Sequence, residues 1–221
     1  MAFGSKMSLS VNDLTIELAP LTKEVMGDFV TGMQQYSVTK YLGRRLAPTL
    51  EDELEWFDKT RADKTAIVWG IWVIKDNKRV LIGNTALTDI ERKHIHQATS
   101  GSMIFRKEYW GRGIASHVHK ARTWYAFQHL GLHRIRSAVI HGNIASLKAL
   151  EKSGYNRVYV ERNTQYVDGQ LRHQDNLECL NPLDSFWTAW WHGERPTAQA
   201  LAARSRTRGA LKWAEDNVQL A

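Results

Sequence analysis

Residues 14–18 alternate apolar and polar side chains and predict an opening strand. Over residues 22–33 the spacing turns helical, with Glu24 in the first turn. The pattern breaks across residues 39–48, punctuated by Gly43 and Pro48. Thr49 then reads as the N-cap of a helix ending near Ala62. Its first turn carries Glu51, Asp52 and Glu53, and its apolar side Leu54, Trp56 and Phe57. Three strands follow at residues 66–74, 80–87 and 97–105, the first two separated by an Asp76-Asn77 turn signal. Gly101, inside the third, invites a bulge or a close backbone approach. A helix over residues 113–130, striped by Ile114, Val118, Ala121 and Tyr125, closes at Gly131. Residues 135–140 read as a strand, and Asn143 opens a helix that stops at Gly154. Strands at 158–166 and 171–180 flank Asp168-Gly169, a strong hairpin signal. The order is strand, two helices, three strands, helix, strand, helix, hairpin, which is a mixed α/β (α+β) class with helices inserted between strands.

The 221 residues suit one domain with an appendage. Residues 1–12 read as a short disordered leader, 13–182 as the main domain, and 183–221 as a helical extension. Trp187, Trp190, Trp191 and Trp213, with Arg204, Arg206 and Arg208, set that extension apart. It reads first as an extra helix docked on the core and second as a partner surface, since Arg with aromatic residues also suits nucleic acid. The single cysteine, Cys179, excludes an internal disulfide and fits a cytoplasmic location. No apolar run approaches the roughly 18–20 residues of a membrane span. The formal charge of +7 favours anionic partners, leaving open a phosphate-rich cofactor, an acidic substrate and nucleic acid. His117 and His119 lie two apart on a helix and face different ways, and no metal site is expected.

The informative segment is Tyr109-Trp110-Gly111-Arg112-Gly113-Ile114-Ala115-Ser116, between a predicted strand and a predicted helix. Two glycines let the backbone turn tightly, and the amides of the first helical turn point outward as anion donors. The spacing is not that of a Walker loop. It approaches a dinucleotide fingerprint, but no Asp or Glu lies between Glu108 and Glu151 to hold a ribose. That interval instead holds Arg112, Lys120, Arg122, Arg134, Arg136 and Lys148, which suits a ligand with several phosphates.

This segment, followed by Asn143-Ile144-Ala145-Ser146 and by Leu150-Glu151-Lys152-Ser153-Gly154-Tyr155, resembles the GNAT acetyltransferases, in particular the RimJ/RimL-type protein N-terminal acetyltransferases. The resemblance runs over roughly residues 14–180. Gly113 and Ala115 match the family's pyrophosphate loop, and Trp110 stands at its first position. The resemblance implies a mostly antiparallel mixed sheet, splayed between its fourth and fifth strands, and acetyl-coenzyme A as cofactor. Met103, Ile104 and Phe105 would bind the pantetheine arm, Trp110, Gly111, Arg112, Gly113, Ile114, Ala115 and Ser116 the diphosphate, and Asn143 the cofactor arm. Ser146 would protonate the leaving thiolate. The expected reaction is direct acetyl transfer to a primary amine, foremost a protein or peptide α-amine. A small-molecule amine is the alternative acceptor, and a GNAT-fold module that binds coenzyme A or nucleic acid with little catalysis is the alternative class. Monomer and homodimer both stay open. The chemistry needs a donor for a developing oxyanion, expected from a bulged strand around residues 102–104. It also needs a route for the amine's proton. Gln165 stands where related enzymes often carry a glutamate, and Thr99 or Ser100 at another common acid position. Asp89, Glu91 and Glu161 are the candidate bases that remain.

Overall fold

Thr49 caps its helix as its sequence suggests. Its hydroxyl accepts the Asp52 N–H, and the Asp52 carboxylate accepts the Thr49 N–H, a reciprocal capping box. The computed structural model describes residues 3–43, 47–76 and 78–221, so Asn77 of the predicted turn lies outside the described residues. In chain order the elements are β1 (Met7–Val11), β2 (Leu14–Ala19), α1 (Met26–Met33), α2 (Tyr36–Thr39), α3 (Leu50–Ala62), β3 (Ile67–Lys75), β4 (Lys78–Glu91), β5 (Gln97–Ile104), α4 (Ile114–Gln128), β6 (Arg134–Ile140), α5 (Ile144–Lys152), β7 (Asn156–Val167), β8 (Gln170–Leu180), α6 (Asp184–Trp191), α7 (Ala198–Asn217) and β9 (Gln219–Leu220).

The strands form one sheet in the order β7-β8-β6-β5-β4-β3-β2-β1-β9. Adjacent strands are antiparallel except β5 and β6, which run parallel. That parallel pair joins only Gln97–Thr99 to Arg134–Arg136, although both strands run on for several residues. The sheet therefore opens between its middle strands, at the place the resemblance implies. Each face of the sheet buries its own core. One core carries Ile114, Val118, Leu150, Tyr155 and Leu211 under α4, α5 and α7. The other carries Phe29, Met33, Phe57, Trp72 and Phe105 under α1 and α3. At about 1.5–3 kcal/mol for each fully buried large apolar side chain, the first layer holds strands on both sides of the opening and the second those on the β5 side.

Two features depart from the sequence reading. Residues 1–12 are not a disordered leader where the structure describes them. Met7, Leu9 and Val11 alternate inward as β1, which pairs with β2 over its full length, and Gly4 lies against the Trp69 indole. The expected bulge at Gly101 is not there either, because Ala86 and Gly101 pair regularly and the register shift falls between Thr88 and Glu91. The close backbone approach belongs to Gly83, where a Cβ would sit 1.9 Å from the Met103 carbonyl oxygen. The C-terminal segment packs on the main core as a helix. Leu211 and Ala214 of α7 are buried in it, β9 pairs with β1, and Arg206 donates to the Glu151 carbonyl. Arg204 and Arg208 bond the Pro182 carbonyl and Asp184 within the tail itself.

Candidate active site

The turn before α4 is built by two glycines in left-handed conformation, Gly111 at φ 74° and Gly113 at φ 80°. A side chain at either position would be strained, which is why the sequence places glycine there. Asn12, in the β1–β2 turn, donates to the Arg112 carbonyl and tethers the loop. The first hydrogen bond of α4 runs from His117 N–H to the Gly113 carbonyl (3.3 Å). The N–H groups of Ile114, Ala115 and Ser116 thus precede any intrahelical acceptor and, with the helix dipole behind them, form an anion cradle. An added Cβ at Gly111 would meet nothing within 4 Å, so the space in front of the loop is open to a ligand.

That space is one end of a cleft of about 620 Å³. Its walls come from β5 (Met103, Ile104), the glycine loop, the start of α5 (Asn143, Ser146) and α2 with the chain after it (Val38, Tyr41). Of the residues nominated from sequence, Met103, Ile104, Trp110, Gly111, Gly113, Ile114, Ala115, Ser116, Asn143 and Ser146 line this cleft. Phe105 does not. It is buried against Phe29, with Gly32 so close that a Cβ there would strike its ring. Being adjacent to Ile104 on a strand, it must point to the opposite face. The Arg112 side chain is also outside the cleft wall, with its guanidinium 5.5 Å from the Tyr109 ring centroid.

Asn143 is the N-cap of α5, its amide oxygen accepting the Ser146 N–H at 3.3 Å. That bond orients its amide NH₂ as the remaining donor. Trp110 donates its indole N–H to the Ile104 carbonyl (2.8 Å) and so pins the loop to the end of β5. Phe105 donates its N–H to the Ile82 carbonyl (2.9 Å) on β4. Alternation along the strand then turns the N–H groups of Ile104 and Ser102 away from β4, into the opening beside β6. These free N–H groups arise from the ending of the β5–β6 ladder, not from a bulge.

A second cavity of about 430 Å³ lies between the sheet and α1 and α3. Phe29, Met33, Trp56 and Val68 make its apolar wall, and Asn84, Thr88 and Glu53 bring polar groups. It shares Leu42, Ser102 and Met103 with the first cleft, so the two meet near the C-terminal end of β5. Glu53, only 3% exposed, was read from sequence as a helix-start charge, and its place on this wall depends on how α3 packs on the sheet. Asp63, at the same cavity, has its carboxyl held below the usual range by the Thr65 N–H and hydroxyl.

The candidate bases lie elsewhere. Glu91 accepts N–H groups of Lys93, His94 and Ile95, which lowers its pKa to about 2. Asp89 has positive φ at the register shift of β4 beside Thr88, and Glu161 is exposed next to Gln174. None of the three lines either cavity. Gln165 lies beside Gly43 on the irregular part of β7. Of the residues sequence did not nominate, Tyr41, His119 and Lys152 also face the first cleft. His119 is fully buried, and burial together with the charge of Arg122 pushes its pKa well down, so it is neutral. Cys179 is buried next to Thr207, its thiol pushed up by burial to about 12, which makes it unreactive. Among the described residues, no group of three or more His, Cys, Asp or Glu is placed to hold a metal ion, and no helix is long and apolar enough to cross a membrane.

Comparison with known proteins gives this geometry its family. Over 150 residues the chain is 33% identical to "Uncharacterized N-acetyltransferase YoaA" of Bacillus subtilis, covering 66% of this chain and 82% of that protein. It is 32% identical over 116 residues to "Probable N-acetyltransferase YjcK" of the same organism, which is 52% of this chain and 62% of that protein's length. Mycobacterium smegmatis RimJ in complex with CoA-disulfide superposes with a TM-score of 0.69 at 14% identity, covering 99% of this chain and 97% of that one. A spermidine N-acetyltransferase from Vibrio cholerae, in complex with CoA and spermine, superposes with a TM-score of 0.67 at 19% identity, covering 75% and 95%. The family model described as Acetyltransferase (GNAT) domain matches residues 15–156, well over half of the chain, and the chain belongs to that family.

Proposed function

We propose that this protein transfers the acetyl group of acetyl-coenzyme A directly to a primary amine, foremost the α-amine of a peptide or protein. The observation that carries the reading is the meeting of two cavities at Ser102 and Met103. One is backed by an anion cradle and the other lies between the sheet and α1 and α3, so a donor and an acceptor can reach one point from opposite sides.

The donor supplies an activated acetyl thioester when bound. Ile114, Ala115 and Ser116 hold its diphosphate through main-chain N–H groups, and Asn143 and the free edge of β5 align its arm. The neutral amine nitrogen bonds to the acetyl carbon, the carbon–sulfur bond breaks, nitrogen gives up one proton and sulfur gains one. Ser146, which lines the cleft, gives sulfur that proton in this reading. An α-amine, with a pKa of about 8, is partly neutral near pH 7 and asks less of a base than a lysine side chain does. The mixed wall of the second cavity, apolar with a few polar groups, suits a peptide end. Its Glu53 and Asp63 favour, as a second reading, a small cationic amine.

A panel of peptides with varied first residues and a set of small amines, each incubated with protein and acetyl-coenzyme A and read by mass spectrometry, tests both readings. Acetylated peptide α-amines support the first, and exclusive modification of small amines the second. No acetylated product from any amine sinks the catalytic proposal.

A further inference from the structure

A buried charge without a counter-ion lies beneath the junction of the two cavities. Arg122 of α4 is fully buried. Its Nη1 donates to Thr85 Oγ1 (2.8 Å) and to the Gly101 carbonyl oxygen (2.9 Å), and its Nη2 to the Tyr155 hydroxyl (3.3 Å). It forms no ion pair among the described residues, and its Nε has no partner. The Tyr155 hydroxyl reaches on to Ser100 Oγ at 3.4 Å. An uncompensated buried guanidinium is costly, and a well-packed apolar side chain would serve the core better.

What the charge touches gives its use. Gly101 C=O and Ser102 N–H are two ends of one peptide group. No peptide bond among the described residues is cis, so they point in opposite directions. The carbonyl end turns toward β4, where Arg122 and Thr85 reach it, and the N–H end turns into the opening at Ser102, which lines both cavities. Resting on the transfer reading above, we infer that Arg122 is a positioning residue for acetyl transfer: by binding the Gly101 carbonyl it polarises that peptide and makes Ser102 N–H a stronger donor to the acetyl oxygen. Hydrogen bonds in series strengthen one another, and the low dielectric around a buried charge amplifies the effect. His119 beside it stays neutral and adds no competing cation.

The test uses acetyl-coenzyme A with a ¹³C-labelled acetyl carbonyl. Infrared difference spectra report the strength of the hydrogen bond to that carbonyl, calorimetry with coenzyme A reports donor binding, and thermal unfolding reports the fold. Bound to the wild-type protein, the carbonyl stretch should fall below its value in solution. In Arg122→Met the shift should shrink by about half or more and kcat fall about 10- to 100-fold, less than or near the loss for removing an oxyanion donor outright. Coenzyme A affinity should stay within about threefold. Arg122→Lys, which keeps the charge, should recover part of both. Should Arg122→Met fail to fold, Arg122→Gln offers neutral donors to the same partners and should show the same reduced shift. An unchanged carbonyl shift in a folded, uncharged variant overturns the inference while leaving the transfer reading intact. No heat from either coenzyme with the wild-type protein overturns the transfer reading itself, and the inference with it.

Discussion

Gly113→Ala separates what the glycine loop contributes to the fold from what it contributes to binding. Gly113 sits at φ 80°, ψ −2° as the residue before α4. A Cβ there would come no nearer than 3.7 Å to the His117 ring, an ordinary contact, so the variant meets backbone strain and no clash. That strain costs about 1–2 kcal/mol, of which about 0.4–1 is offset by the lower freedom of the unfolded alanine chain. The net loss of stability should be about 0–1.6 kcal/mol by denaturant titration. If the loop relaxes instead, the N–H groups after it turn. One lost charge-assisted hydrogen bond to a diphosphate, worth about 1.5–3 kcal/mol, weakens donor binding roughly 10- to 150-fold. Gly131→Ala is the control. Gly131 has φ 65° at the far end of α4 with nothing within 4 Å of an added Cβ, and it lines neither cavity. Both variants should be similarly stable, and only Gly113→Ala should lose affinity for coenzyme A in calorimetry. Equal affinity in the two refutes the cradle as the diphosphate site.

Ser146→Ala keeps the main-chain N–H that Asn143 caps, so it should fold normally, bind coenzyme A within about twofold of wild type, and lose about 10²-fold in kcat. An unchanged kcat in steady-state assays removes Ser146 from the proton route. Gly154→Ala should destabilise by about 2–5 kcal/mol, since a Cβ there meets Thr207 Oγ1 at 2.0 Å on α7 and φ is 95°. A wild-type unfolding midpoint in urea contradicts the docking of α7. His119 is a base whose folded pKa lies below its unfolded value near 6.5, so only the unfolded chain takes up its proton just below that pH. Stability should be full above pH 6.5 and decline as the pH falls below it. His119→Phe should show a shallower acid slope in denaturation midpoints between pH 6.5 and 5, and an unchanged slope refutes a neutral buried His119.

The elements that spoke plainly in sequence are those whose signals are local. Thr49 and Asp52 cap each other within four residues, and Asp168-Gly169 turns β7 into β8 with both residues at positive φ. β1 escaped because its three inward residues fit under α4 and α7 only once α7, some two hundred residues later, has closed over them. The four-residue α2 carries too little periodicity to register, although the chain after it walls the cleft.

The same distinction divides the site. The donor half rests on main-chain N–H groups of consecutive residues, and backbone geometry of that kind writes itself as glycines at fixed spacing, so residues 110–116 could be nominated before any coordinates. The second cavity is a volume lined by side chains from α1, α3, β3, β4 and β5, and no spacing along the chain records which of them will face one another. Arg122 is the extreme case. From sequence it is one of six basic residues in an acid-free run, all read together as suiting a ligand with several phosphates. Its burial under Gly101 depends on where α4 crosses the sheet, and its use depends on which end of one peptide faces the opening. Charge that binds a ligand from outside can be read from composition, whereas charge that acts through a peptide bond becomes legible only with the register of β5.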